Sequence, residues 1–223
     1  MPGNETITHR DVFLYYPNLI GYARVALALL SCFLMSSHPK ACMLSYVVSC
    51  LLDAADGHVA RYMNQCSRFG AVLDMVTDRS TTTCLLAYLA TIYPSWLVLF
   101  QILMALDLSS HYMHMYSSLS GGSTSHKVID PSANPILRLY YHNKYVLFAV
   151  CAGNELLFVG LYLLQHLAAE SWAYTVVLAA TAVSFPICVL KQGLNVVQLV
   201  GASTNLAASD AQIANAASSS KSE

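Results

Sequence analysis

The chain has 223 residues, of which 56% are hydrophobic and only 10% charged, and its formal net charge is −1. A soluble domain carries about 25% charged residues, so a mainly water-facing surface is excluded, and with no basic stripe a nucleic-acid partner is excluded as well. The seven cysteines form no C-x-x-C pair and lie mostly in apolar runs, which argues against a disulfide framework or a zinc site and predicts reduced core thiols.

Residues 1–16 are polar and lack the basic-then-apolar order of a signal peptide. The first apolar run is then its own insertion signal. Six apolar stretches follow, each near the length that crosses a bilayer. They run from about Leu19 to Met35, Ala41 to Tyr62, Phe69 to Tyr93, Trp96 to Tyr116, Tyr145 to Leu164, and Trp172 to Val200. Pro186 is expected to kink the last of them. The pattern predicts an all-α, polytopic membrane protein: a six-transmembrane-helix bundle over residues 17–202, flanked by the polar cytosolic N-terminus 1–16 and an Ala/Ser-rich tail, 203–223, that is polar and partly disordered.

Loop charge sets the expected orientation. With the N-terminus in the cytosol, Arg10, Arg61, Arg68, Arg79, Lys127, Arg138, Lys144, Lys191 and Lys221 fall on or near the cytosolic side and only Lys40 lies clearly opposite. Tyr93, Trp96, Tyr116, Tyr145 and Trp172 sit at helix ends and fit an aromatic belt. Asp107, His111 and Glu155 read as satisfied hydrogen-bonding groups of the helical interior.

Four aspartates interrupt the second and third apolar runs. The sequence reads Asp53-Ala-Ala-Asp56-Gly57-His-Val-Ala60-Arg61, then eight residues, then Gly70-Ala-Val-Leu-Asp74-Met-Val-Thr-Asp78. Asp53 and Asp56 are three apart, and Asp74 and Asp78 four apart, so each pair shares a helix face. Asp53, Asp56, Gly57, Ala60 and Arg61 fall within an arc of about 140°, and Gly70, Asp74 and Asp78 within about 80°. A turn near residues 65–67 makes the two helices antiparallel neighbours, and four carboxylates then converge. Each intramembrane charge costs at least about 2.5–3.5 kcal/mol, and like charges in proximity add to that. Divalent cations remove the conflict. An all-carboxylate donor set suits Mg²⁺ or Mn²⁺ rather than zinc, and two such ions form a clamp for phosphoryl transfer. Gly57 lets a diphosphate approach the helix backbone, Arg61 offers a partner for a phosphate oxygen, and Gly70 allows close helix packing.

These residues match D-x2-D-G-x2-A-R-x8-G-x3-D-x3-D at every fixed position, and the chain resembles the CDP-alcohol phosphatidyltransferase family from about Phe13 to Val200. Residues 17–24, 51–58 and 68–75, with Ser125-His-Lys127, Asn134-Pro135 and residues 152–156, resemble the eukaryotic branch of that family whose acceptor is myo-inositol. The resemblance implies a six-helix homodimer in the endoplasmic reticulum membrane, its polar cavity open to the cytosol. It implies Asp53, Asp56, Asp74 and Asp78 as ligands of two metal ions, Asp78 also as the general base, and Gly57, Arg61 and Ser67 against the CDP moiety of CDP-diacylglycerol. The expected products are phosphatidylinositol and CMP. Lys127 and Arg138 are candidate inositol contacts, or simply cytosolic anchors. A family member with another acceptor alcohol and a cation transporter with carboxylates along its path are the rival readings.

Overall fold

The computed structural model describes residues 7–120 and 143–219. Among these residues every regular element is helical. A short amphipathic turn, α1 (His9–Phe13), leads into α2 (Tyr16–Leu34), α3 (Pro39–Tyr62) and α4 (Arg68–Ile92). A 3₁₀ turn at Pro94–Trp96 precedes α5 (Leu97–Ser120), and α6 (Lys144–His166) and α7 (Trp172–Ser219) complete the chain. Among the described residues, four helical stretches are long and apolar enough to cross a membrane: α2, the 3₁₀ turn together with α5, α6, and α7. The 24 residues of α3 and the 25 of α4 are long enough, each rising about 1.5 Å per residue. Their apolar character is broken by Asp53, Asp56 and Arg61 on one, and by Asp74, Asp78 and Arg79 on the other.

The helix starts follow from local chemistry. Pro17, Pro39 and Pro94 occupy first-turn positions, where a missing N–H is not needed. Asn143 caps α6 by accepting hydrogen bonds from the N–H groups of Tyr145 and Val146. At α1, Asp11 accepts from the Thr8 backbone N–H at 2.7 Å, which with the Thr8 hydroxyl holds the Asp11 carboxyl below the usual carboxylate range.

The chain divides into two compact units, residues 1–88 and 89–223. In the first, α2 packs on α3 along positions that are small on both sides. Ala28 and Ser31 are buried on α2, and Cys42, Ser45 and Ser49 on α3. Close approach of backbones is the usual means of helix association where lipid removes the hydrophobic drive. In the second unit, Gly153 and Gly160 of α6 lie against Ile187 and Thr181 of α7. A Cβ on Gly160 would fall 2.1 Å from the Thr181 hydroxyl oxygen.

That second unit carries a buried polar seam. Asn195 donates to Asp107 Oδ1 at 3.4 Å, Gln192 to Asn154 Oδ1 at 2.9 Å, and Gln198 to the Ser110 carbonyl at 3.4 Å. Lys191 donates to Asn195, and His111 Nδ1 lies 2.8 Å from the Asp107 carbonyl oxygen. Asp107 and His111 are therefore satisfied interior groups, as expected. The helix-end aromatics Trp96, Tyr116, Tyr145 and Trp172 are exposed, whereas the Tyr93 hydroxyl donates to the Leu161 carbonyl at 2.9 Å.

Two expectations from composition change. None of the seven cysteines is joined in a disulfide, but only Cys42 and Cys188 are buried, while Cys50, Cys66, Cys84 and Cys151 are exposed on helix or turn surfaces. The stretch read as a partly disordered tail is helical through Ser219, because α7 continues without interruption for 48 residues, past Pro186.

Candidate active site

The site begins with the turn that joins α3 to α4. After Tyr62 the chain places Asn64 at φ = 54°, a left-handed conformation that asparagine tolerates better than other side-chain-bearing residues. The Gln65 N–H then reaches back to the Ala60 carbonyl at 2.9 Å and the Asn64 N–H to the Arg61 carbonyl at 3.4 Å. This paired closure is the Schellman termination of a helix. Two residues later, the Ser67 hydroxyl accepts from the Gly70 N–H at 3.0 Å and caps the start of α4. Five residues, 63–67, thus reverse the chain. Asp53 and Asp78 lie almost symmetrically about that turn, as do Asp56 and Asp74.

Packing behind the turn fixes α4 against α2. A Cβ on Gly70 would sit 2.7 Å from Asn18 Oδ1. Asn18 is itself fully buried and anchored by donating to the Val12 carbonyl at 2.5 Å. A Cβ on Gly21 would meet the Leu73 side chain at 2.8 Å. Both glycines are where α4 meets α2; Gly70, expected to bring α3 and α4 close together, instead faces Asn18 of α2.

The four aspartates converge. Carboxylate oxygens of Asp53, Asp56 and Asp74 all lie within 4.8 Å of one another. Asp78 stands outside that close triad and is joined to it through a residue of α2, Arg24. The Arg24 Nη1 contacts Asp56 Oδ2 at 2.5 Å and Asp74 Oδ1 at 2.9 Å, while Nη2 contacts Asp53 Oδ1 at 2.5 Å and Asp78 Oδ1 at 2.6 Å. Each terminal nitrogen therefore bridges one carboxylate from α3 and one from α4. Arg24 is only 1% exposed. The carboxylates grade outward: Asp56 and Asp74 are the more enclosed, with Asp53 and Asp78 at the open side. Arg79 Nη2 stands 3.7 Å from the second oxygen of Asp78.

Electrostatics makes the donor set fit divalent cations. Two like charges 4 Å apart repel by about 4 kcal/mol at an effective dielectric of 20. One guanidinium cannot neutralise four carboxylates. Hard oxygen donors from two helices, close enough to share an ion and held by a cation already, are what Mg²⁺ or Mn²⁺ requires.

Gly57 lies one residue past Asp56, and a Cβ there would meet only the Arg61 guanidinium, at 3.6 and 3.9 Å, an ordinary contact. Nothing in the packing of the described residues requires glycine at this position. Arg61 is folded over that bare stretch of helix, at the exposed end of α3. Ser67 is at the turn with its hydroxyl occupied as a cap. Lys127 and Arg138 lie outside the described residues. Arg24 escaped the reading of the motif because it is distant in sequence. The one signal available was a lone arginine inside an apolar run, which at membrane depth needs acidic partners.

With this geometry in view, comparison with known proteins is decisive. The sequence profile described as CDP-alcohol phosphatidyltransferase matches residues 14–183, which contain the whole acidic cluster, Arg24 and the turn. The chain belongs to the CDP-alcohol phosphatidyltransferase family. It is a transferase of this family, and its relatives agree over most of their length. A Candida albicans protein named CDP-diacylglycerol–inositol 3-phosphatidyltransferase is 51% identical over 93% of this chain and 88% of its own. The proteins of that name from Saccharomyces cerevisiae and Homo sapiens are 51% and 48% identical, covering 95% and 90% of this chain and 94% and 95% of their own. No solved structure matches.

Proposed function

We propose that this phosphatidyltransferase makes phosphatidylinositol, transferring the phosphatidyl group of CDP-diacylglycerol to myo-inositol and releasing CMP. The observation that carries the chemistry is the convergence of four carboxylates from α3 and α4 on one point. The acceptor rests on the name shared by relatives about half identical over nearly the whole chain.

Asp53, Asp56, Asp74 and Asp78 would hold two divalent ions, Mg²⁺ or Mn²⁺. Bound there, the ions supply charge neutralisation for the diphosphate and for the departing CMP. The side chains of the protein do the rest. The bare helix surface at Gly57 admits the diphosphate to the backbone, with the Arg61 guanidinium available to a phosphate oxygen. Ser67 stands at the same end of α3 and α4, and its hydroxyl can serve the CDP moiety while it caps α4. Asp78, outside the close triad and on its open side, takes the proton from the inositol hydroxyl as that oxygen attacks the β-phosphorus. Holding the two substrates in line adds the contribution of proximity and orientation. Lys127 and Arg138 are proposed contacts for inositol.

The family resemblance supports six spans, with α3 and α4 among them, and a homodimer in the endoplasmic reticulum membrane. The excess of cationic residues on one side supports an orientation with the acidic cluster facing the cytosol. A transporter is disfavoured because the carboxylates gather at one point rather than along a path.

Purified protein in detergent, given CDP-diacylglycerol and a panel of alcohols, tests the proposal. CMP release is expected with inositol alone among the acceptors, and to stop on chelation of divalent ions. In Asp78→Asn, turnover should fall by about 10²–10⁴-fold, the usual contribution of a general base. The amide oxygen still accepts from Arg24, so folding should persist. Release with ethanolamine, serine or glycerol phosphate in place of inositol would reassign the acceptor, and near-normal turnover in Asp78→Asn would remove the base.

A further inference from the structure

Arg24 does more than complete the packing of α2. A guanidinium has five N–H donors, two on each terminal nitrogen and one on Nε. Here the two terminal nitrogens make four ion-pair contacts, one to each aspartate of the motif, and those to Asp56, Asp74 and Asp78 are also hydrogen bonds. The fifth donor, Nε, is buried and has no hydrogen-bond partner. A side chain 1% exposed, with one donor left unsatisfied, is held by its carboxylates and not by its surroundings. Each contact also occupies an oxygen of a carboxylate that a divalent ion would need. With Arg24 in place the cluster carries a formal charge of −3. Two divalent ions would bring it to +1, complementary to an anionic diphosphate.

We propose that Arg24 is a resident counter-cation of the acidic cluster: it holds the four carboxylates in register when no divalent ion is bound, and it competes with those ions for the same oxygens. The proposal rests on the reading of the cluster as a metal site. Arg24 is a positioning residue, acting on the metal ligands and not on the substrate. Its competition sets how much free metal the enzyme needs, so that loading is weaker than four bare carboxylates would give and the loaded site keeps a positive charge.

The test uses the full chain in detergent, with thermal stability and electron paramagnetic resonance of free Mn²⁺ as readouts independent of turnover. In chelator, Arg24→Gln is expected to melt below the wild type. Saturating Mn²⁺ should close that gap. The Mn²⁺ concentration giving half the stabilisation should fall by at least about tenfold, since a like charge a few ångströms from the ion has been removed. Arg24→Lys keeps the charge but not the four-way fork, and should lie between the two. Should Arg24→Gln not fold, Arg24→Lys carries the test on the same two readouts. A variant that needs more Mn²⁺ than the wild type would show that Arg24 builds the metal site instead of competing for it, and unchanged melting in chelator would show that it does not hold the cluster; either overturns the proposal. Absence of any Mn²⁺ binding by the wild type, with Asp53→Asn as control, would instead remove the metal reading beneath it.

Discussion

Gly57 separates packing from function more cleanly than any aspartate does. Each aspartate is tied to Arg24, so replacing one perturbs both the charge balance and the local structure. Asp56 is buried and its loss would leave Arg24 partly uncompensated. At Gly57 a methyl group has room, meeting only the end of the flexible Arg61 side chain. Alanine is also the better helix former by about 1 kcal/mol. Gly57→Ala is therefore expected to leave thermal stability unchanged or slightly raised, while the KM for CDP-diacylglycerol rises or turnover is lost. A variant with normal kinetics would mean that no ligand approaches this backbone. The motif residues were legible in the sequence because their spacing puts them on shared helix faces. Arg24 was not, because nothing in local spacing reveals which side chain of a third helix reaches the same point.

Between α3 and α4 the element that matters is the five-residue turn. Its hydrogen bonds set the register in which each Arg24 nitrogen finds one carboxylate from each helix. Ser67 contributes as the cap of α4, so Ser67→Ala should cost about 1 kcal/mol of stability. Ser67→Thr, which keeps the hydroxyl, should cost less. Equal melting of the wild type and Ser67→Ala would deny the cap. Helix positions were readable from the apolar runs to within a few residues for α3, α4 and α6, since Pro39, Pro94 and the polar turn at 63–67 mark boundaries chemically. The end of α7 was not. Residues 203–219 are polar and Ala/Ser-rich, which resembles a disordered composition, yet alanine has the highest helix propensity and no glycine or proline breaks the run. Ser203 and Thr204 return their hydroxyls to the carbonyls four residues back, at 2.8 and 2.9 Å, which satisfies them without leaving the helix.

At the scale of the molecule, exposed apolar side chains dominate the helix surfaces, among them Phe33, Leu51, Phe148, Val183 and Phe185. Such faces are stable against lipid tails and not against water. Composition made the membrane class legible at once. The number of spans was less so, because the four aspartates lower the apolar content of α3 and α4 below that of the four described helical stretches apolar enough to cross a membrane. Cys66 in the turn is exposed and offers a test of sidedness. A variant retaining Cys66 as its only cysteine should react with a membrane-impermeant thiol reagent in sealed microsomes whose cytosolic face is outward. Labelling only after detergent would place the turn in the lumen and invert the orientation.

The central claim is that α3 and α4 share one divalent-ion site. Crystals of the full chain grown with Mn²⁺ and measured at the manganese absorption edge address it most directly. The account predicts two anomalous peaks among Asp53, Asp56, Asp74 and Asp78, each touching carboxylate oxygens from both helices. A map with no peak in the cluster at saturating Mn²⁺, or with ions held by one helix alone, would contradict it.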